Sequence, residues 1–241
     1  MWLLLCNSTD RSALWAASRL RARGLEPLTV LTPELLHYSF HWEHRLRRDG
    51  VSTVAFMLAD GRRIDGTSID GVVNRIPLVP SHVLQHLVEA DRAYAQQEWT
   101  ALHMSWLASL RVPVLNLPVV EGLCGAWRHR SEWAWLAGQA GFDVDDYLQQ
   151  VPPAAMPPEA CGEAPPVRTI IAVDGQGIGG HLDEDVADAC GRLGVLAKTR
   201  ILGVDLDART SAFVSASPLP DLRTGGEPFI DALASALRGV A

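Results

Sequence analysis

The first thirty residues alternate strand, helix and strand, and this pattern limits the possible folds more than any other feature of the sequence. Trp2–Cys6 form an apolar run that predicts a short buried strand, and a polar turn follows it. The next segment predicts an amphipathic helix that stops at Gly24. Leu28–Leu31 then predict a second strand. This order is typical of a parallel sheet, so we predict an α/β protein.

The remaining elements are predicted from apolar periodicity and turn residues. Further predicted strands are 52–58, 71–75, 114–116, 168–173, 200–206 and 211–216, with a hairpin turn at 59–62. Further predicted helices are 34–48, 82–110, 131–140, 183–196 and 228–237.

A proline-rich segment divides the chain. Residues 151–166 read VPPAAMPPEACGEAPP and show no periodicity, which is typical of a linker or an extended surface loop. We therefore predict two domains, residues 1–150 and residues 167–241, joined by this linker.

Composition limits the classes of function and location. The net charge of −7 argues against nucleic-acid binding, which needs a basic surface. The four cysteines include no CxxC pair, so neither a zinc ribbon nor a disulfide framework is predicted. No window reaches transmembrane length, and the apolar start has no basic region before it. We therefore expect a cytoplasmic protein without a membrane partner.

The carboxy-terminal segment resembles a known family. Ile201–Leu206 read ILGVDL and Phe213–Pro220 read FVSASPLP. They resemble the last two core strands of an ATP-grasp ligase of the glutathione-synthetase or RimK type, in which a GVD-type strand leads to a strand ending Glu-x-Asn-Pro-x-Pro. The resemblance implies an amino-terminal parallel-sheet domain like the one that precedes the ATP-grasp fold. It also implies a small, truncated ATP-grasp-like α+β lobe at residues 167–241.

The chain departs from this family where the nucleotide is held. Ser215 and Ser217 replace the Glu and Asn that hold magnesium in the family, and hydroxyls are poor substitutes for these ligands. The family also uses two lysines on the phosphates, but Lys198 is the only lysine in this sequence. In addition, the segment 141–168 is too short for the strands that carry those lysines. We therefore expect no cofactor and a non-catalytic relative of the ligases, although a divergent ATP-dependent carboxylate–amine ligase remains an alternative.

A degenerate protein of this size is similar to the peptide-binding proteins of crocagin biosynthesis, a ribosomal-peptide pathway. That resemblance implies a protein that captures a precursor (leader) peptide and presents it to a modifying enzyme. A homo-oligomer is also expected, because a truncated lobe leaves sheet edges or apolar faces to be covered.

Two regions supply candidate peptide-binding residues. The first, Cys124–Trp135, reads CGAWRHRSEWAW and interleaves tryptophan with arginine, the residues that dominate binding hot spots. Equally, these tryptophans can be core residues. The second lies at the end of the predicted strand 71–75, where ligands of open α/β sheets bind, with a polar side chain of the long helix directed toward the same region or simply facing water. The candidates are Asn74, Arg75, Glu98, Trp127, Arg128 and Arg130.

Other motifs indicate competing functions. Gly175–Gly180 satisfies the dinucleotide pattern GxGxxG, but a glycine-rich turn is the favoured interpretation. His37, His41 and His44 fall on one face of the predicted helix 34–48, so a metal-dependent enzyme is a third hypothesis beside a solvated or packed histidine face. Cys124 has no recognisable catalytic partners and is interpreted as part of a tight glycine turn.

Overall fold

The computed structural model describes residues 1–49, 52–144, 165–179 and 182–239, and the strands in these ranges form three sheets. The strands are β1 (Trp2–Leu5), β2 (Leu28–Leu31), β3 (Phe40–Leu46), β4 (Ser52–Met57), β5 (Arg63–Asp65), β6 (Gly71–Asn74), β7 (Val114–Leu115), β8 (Val167–Val173), β9 (Gln176–Ile178), β10 (Ile201–Asp207) and β11 (Phe213–Ser217). The helices are α1 (Arg11–Ala22), α2 (Pro33–His37), α3 (Glu89–Ser109), α4 (Arg130–Ala140), α5 (Glu184–Leu196) and α6 (Gly226–Arg238).

The amino-terminal sheet is parallel, as the sequence predicts, with strand order β2-β1-β6-β7. Helix α1 begins after Asp10, whose carboxylate caps it by accepting the N–H of Ala13 at 2.9 Å. The chain leaves the helix through Gly24, which has a φ of 79° that glycine adopts without strain. The crossover therefore brings β1 and β2 side by side in register.

The other two sheets are antiparallel. One has the order β11-β10-β8-β9 and is built from the carboxy-terminal part of the chain. The other consists of β3, β4 and β5 and covers the amino-terminal sheet together with α3. Residues of β1 alternate between two cores, since Leu3 and Leu5 face this covering layer and Leu4 faces α1 and α6.

Helices α1 and α6 lie between the two four-stranded sheets. Phe229 and Leu233 of α6 are fully buried in one cluster with Val73 of the parallel sheet and Ile171 of the antiparallel sheet. Full burial of such a side chain stabilises the fold by about 1.5–3 kcal/mol. The two predicted domains therefore share a hydrophobic core. Residues 151–164 of the predicted linker lie outside the described residues, so the domain division stays a prediction.

The predicted helix 34–48 is wrong beyond its first turn. Helix α2 ends at His37, and Phe40–Leu46 form strand β3. The strand forms because Trp42 stacks on Phe56 of β4, with ring centroids 4.4 Å apart, while the antiparallel ladder satisfies the backbone. His37, His41 and His44 therefore do not share a helix face. Across the described residues, no group of three His, Cys, Asp or Glu side chains is arranged to hold a metal ion.

The predicted helix 82–110 also divides. Ser81–Leu84 form a short 3₁₀ turn, and the helix α3 begins only at Glu89.

Within the described ranges, none of the helices combines the length and apolar character needed to cross a bilayer.

The described part of the glycine motif, residues 175–179, begins in the turn of a β-hairpin. Asp174 and Gly175 have positive φ values of 48° and 80° and connect β8 to its antiparallel neighbour β9. A Cβ on Gly191 of α5 would lie 1.9 Å from the carbonyl oxygen of Gly175, so glycine lets the helix pack directly on this turn. A dinucleotide fingerprint requires a strand-to-helix turn instead. The structure thus agrees with the glycine-turn interpretation.

Candidate functional site

An apolar groove opens beside the carboxyl end of the parallel sheet. Its volume is about 620 Å³. One wall is the segment Pro77–Val79, a second is the face of α3 that carries Gln96 and Thr100, and a third is the turn 119–122. Leu123, Trp127 and Leu219 complete the lining. A groove of this size with mostly apolar walls and a few polar groups is typical of a ligand site.

The turn at residues 119–122 owes its position to a glycine. Val119 and Gly122 exchange backbone hydrogen bonds of 2.9 and 3.0 Å, which leaves Val120 at the exposed tip. A Cβ on Gly122 would lie 2.5 Å from both the Gly125 carbonyl oxygen and Cδ1 of Trp127. Glycine therefore allows the turn to lie directly against the indole ring. Trp127 remains 48% exposed, which is unusual for a tryptophan and leaves its ring available to a partner.

Two buried asparagines fix the floor of this region. The Asn74 amide group donates to the carbonyls of Asn116 at 2.9 Å and Leu123 at 2.6 Å. The Asn116 amide group donates to the carbonyls of Cys124 at 3.1 Å and Ile201 at 2.9 Å. These bonds attach the turn region to the parallel sheet and to β10, because each asparagine satisfies backbone groups that no strand pairs.

Arg75 is likewise buried. Its Nε donates to Asp10 Oδ2 at 2.8 Å, and its Nη2 donates to the Pro220 carbonyl at 3.0 Å and to Ser12 Oγ at 3.2 Å. Burial raises the pKa of Asp10, but the Arg75 charge and hydrogen bonds outweigh this and hold that pKa below its usual value. Burial also raises the pKa of the neighbouring Cys124 thiol to about 11, which keeps it protonated and unreactive.

The predicted tryptophan–arginine surface is divided between two environments. Trp127 lines the groove, whereas the guanidinium of Arg128 lies 5.8 Å from the ring centroid of Trp133 and bonds Glu132. Trp133 itself is a buried core residue. Arg130 is exposed at the first position of α4.

Glu98 is exposed on α3 and lies away from the groove. It follows Gln96 by two residues, a rotation of about 200° around the helix axis. Of the six sequence candidates, Trp127 lines the groove, Asn74 and Arg75 lie buried near it, and the others lie elsewhere. A peptide contact by any of them stays a prediction.

Sequence reasoning missed the segment 77–79 and the turn 119–122. A signal was present in each, since Pro77 and Pro80 flank two apolar residues and Val119-Val120 precede a Glu-Gly pair. Apolar residues at turns are candidates for exposed contacts.

The positions compared with magnesium ligands carry internal hydrogen bonds. Ser215 Oγ and Thr169 Oγ1 each donate at 2.6 Å to a different oxygen of Asp205. The backbone N–H of Leu219 donates to Ser217 Oγ at 3.1 Å. The one carboxylate at these positions is that of Asp205, and both of its oxygens already accept hydrogen bonds from hydroxyl groups. This part of the described chain therefore fits a magnesium–nucleotide complex poorly.

Comparison with known proteins reveals the fold. No protein-family model and no curated protein sequence matches the chain. The macrocyclase MdnC bound with precursor peptide MdnA from Microcystis aeruginosa MRC superposes with a TM-score of 0.69 and 12% identity, covering 99% of each chain. The ATP-grasp ligase PsnB complexed with minimal precursor superposes with a TM-score of 0.70 and 15% identity, covering 99% of this chain and 98% of PsnB. A RiPP-associated ATP-grasp ligase of Chryseobacterium gregarium, in complex with ADP and a leader and core peptide, superposes with a TM-score of 0.70 and 12% identity. The superposition covers 100% of this chain and 97% of that ligase.

The chain has an ATP-grasp-like fold. The predicted α/β class is thereby confirmed, with a parallel amino-terminal sheet and an antiparallel carboxy-terminal sheet. At these identities the similarity establishes the fold, and the function has to be argued from the site.

Proposed function

We propose that this protein binds a precursor peptide of a ribosomal-peptide pathway and assists its modification without catalysing ligation itself. The observation that carries the proposal is the apolar groove with half-exposed Trp127 at its side, in a fold of which several solved neighbours are complexed with precursor peptides. An extended peptide can place alternate side chains into such a groove, with tryptophan as an anchor.

The non-catalytic part of the proposal is supported by the positions that a ligase needs for nucleotide. Ser215 and Ser217 offer hydroxyls that already take part in hydrogen bonds within the chain. Lys198 is exposed in the turn after α5, and it is the only lysine in the sequence. A triphosphate needs several cationic and metal contacts, and this set does not supply them. A degenerate ATP-grasp protein like those of crocagin biosynthesis fits this combination, with a modifying enzyme as second partner.

Calorimetry tests the proposal with synthetic peptides from short reading frames that neighbour the gene. We expect one of them to bind with a dissociation constant in the micromolar range. Trp127→Ala is expected to weaken binding at least tenfold, because loss of a tryptophan anchor costs about 2 kcal/mol or more. Trp135→Ala is the matched control, since Trp135 is also exposed but does not line the groove. Affinities above the millimolar range for every peptide, or equal losses in both variants, would contradict the proposal.

A further inference from the structure

A second cleft adjoins the groove and differs from it in chemistry. It has a volume of about 430 Å³ and lies where β1 leads into α1, beside the end of β6. Three arginines line it, Arg11, Arg75 and Arg223. Leu219 lines both the cleft and the apolar groove, so the two adjoin at this residue.

Arg75 lines this cleft and carries a hydrogen-bond donor that no group of the described chain accepts. The side chain is only 4% exposed, and its Nε and Nη2 bond Asp10, Ser12 and the Pro220 carbonyl. Its Nη1 is buried and has no hydrogen-bond partner among the described residues. A guanidinium nitrogen of this kind carries two N–H groups, and leaving them unpaired away from water is unfavourable. Because Nη1 itself is buried, an acceptor oxygen in the cleft would reach it after a small shift of the side chain.

The charges in the cleft leave an excess of one cation. Three arginines face two carboxylates, Asp10 and Asp221. Asp10 bonds Arg75 and Asp221 bonds Arg223, while Arg11 is exposed and forms no ion pair with any residue that the structure describes. The whole chain has a net charge of −7, so the local excess of positive charge is opposite in sign to the net charge of the protein. A cleft with an excess of positive charge attracts an anion.

We infer that this cleft binds a carboxylate of the peptide whose apolar residues occupy the groove. The inference rests on the proposed function and adds to it the chemistry of the ligand, an acidic residue within a few positions of an apolar anchor. A carboxylate is planar and matches the fork of a guanidinium, and the shared wall at Leu219 places it next to the apolar contacts.

Two peptides test the inference on the full-length protein, N-acetyl-Leu-Phe-Glu-Leu-amide and its Gln counterpart. Nuclear magnetic resonance titration separates the two regions, since Ser12 reports on the cleft and Thr100 on the groove. We expect signals of both regions to shift with the Glu peptide and its dissociation constant to be at least fivefold lower than that of the Gln peptide. Equal affinities with groove shifts would overturn the carboxylate site and leave peptide binding standing.

Arg223→Gln is the variant of choice, because Arg75 is buried and its replacement can unfold the protein. Arg223 is 54% exposed and pairs with Asp221, two residues before it. Arg62→Gln is the matched control, as Arg62 is 53% exposed and pairs with Asp60 in the same way, outside the cleft. We expect Arg223→Gln to raise the dissociation constant of the Glu peptide at least threefold and Arg62→Gln to leave it unchanged.

Titrations with phosphate and acetate distinguish a peptide carboxylate from other anions, and they show whether a negative result concerns the cleft or the proposed function. Inorganic phosphate, at matched ionic strength, should shift the cleft signals less than the Glu peptide does, and a stronger effect would overturn the peptide assignment in favour of free phosphate. Absence of cleft shifts with both peptides and with acetate would remove the carboxylate site. The calorimetry with gene-neighbour peptides would then still decide the proposed function separately.

Discussion

The side chain of Asn116 pairs with the backbone of Ile201 across 85 residues of sequence. Its Nδ2 donates to the Ile201 carbonyl at 2.9 Å, and its Oδ1 accepts the Ile201 N–H at 2.7 Å. The amide thereby acts like an extra strand partner at the start of β10, and it joins the carboxyl edge of the parallel sheet to the antiparallel sheet. The groove lies beside this junction, so its shape depends on the bond pair.

Asn116→Ala is therefore expected to destabilise the whole fold. The substitution removes at least two buried hydrogen bonds and leaves backbone groups of Ile201 unpaired, a loss of about 2–4 kcal/mol. Urea denaturation followed by circular dichroism measures it. Gln97→Ala, which removes an exposed amide on α3, should stay within about 0.5 kcal/mol of the parent. Similar losses in both variants would show that Asn116 does not join the sheets.

Gly122→Ala should separate the shape of the groove from the stability of the fold. A Cβ there meets the Gly125 carbonyl and the Trp127 ring at 2.5 Å, so the turn has to move away from the indole. We expect peptide affinity to fall about tenfold, as for loss of a hot-spot contact. Gly138→Ala in α4 has no contact closer than 4.0 Å and should bind normally with slightly higher stability. Calorimetry on both variants checks this, and unchanged affinity of Gly122→Ala would argue that the peptide lies elsewhere.

The elements that sequence patterns predicted well are those with local signals. The first strand–helix–strand unit has a polar cap at Asp10, a terminating Gly24 and apolar runs on both sides, and the structure reproduces it. Strand β3 was missed because the segment 34–48 was interpreted as one helix, whereas only its first turn is helical. The sequence Asp49-Gly50 between β3 and β4 is a hairpin signal that would have favoured the strand.

The site was predicted only in part, because its contacts are long-range. The rule for parallel strands located Asn74 and Arg75 at the carboxyl edge of the sheet. It could not reveal that Asn74 would bond the backbone of Asn116, 42 residues away, or that Arg75 would pair with Asp10, 65 residues away. Residue type predicts the need for a partner, whereas the fold decides whether the partner is the chain or a ligand.

Stability should fall between about pH 6.5 and pH 4 because of His103. Burial lowers the pKa of this histidine to about 4. In the unfolded chain its pKa is about 6.5, so below that pH the unfolded state binds more protons and is favoured. The shift corresponds to a loss of about 3 kcal/mol once the pH is below both values.

His103→Leu should flatten this pH dependence, and His86→Gln, at an exposed histidine, should retain it. Asp10, whose pKa is lowered in the folded state, adds a further loss as its carboxylate protonates at lower pH. Urea midpoints at several pH values provide the measurement. An unchanged slope in His103→Leu would exclude this histidine as the cause.

Magnesium and ATP should leave the melting temperature nearly unchanged. An intact nucleotide site saturated at one hundred times its dissociation constant would add about 2.7 kcal/mol and raise the melting temperature by about 5–10 °C. At the family's ligand positions this chain has Ser215, which donates to Asp205, and Ser217, which accepts from the Leu219 N–H. We therefore expect a change below about 1 °C in a thermal-shift assay with millimolar ATP and magnesium, equal to that with magnesium alone. A rise of several degrees that needs both components would instead support an ATP-dependent carboxylate–amine ligase, because only a retained phosphate site can produce it.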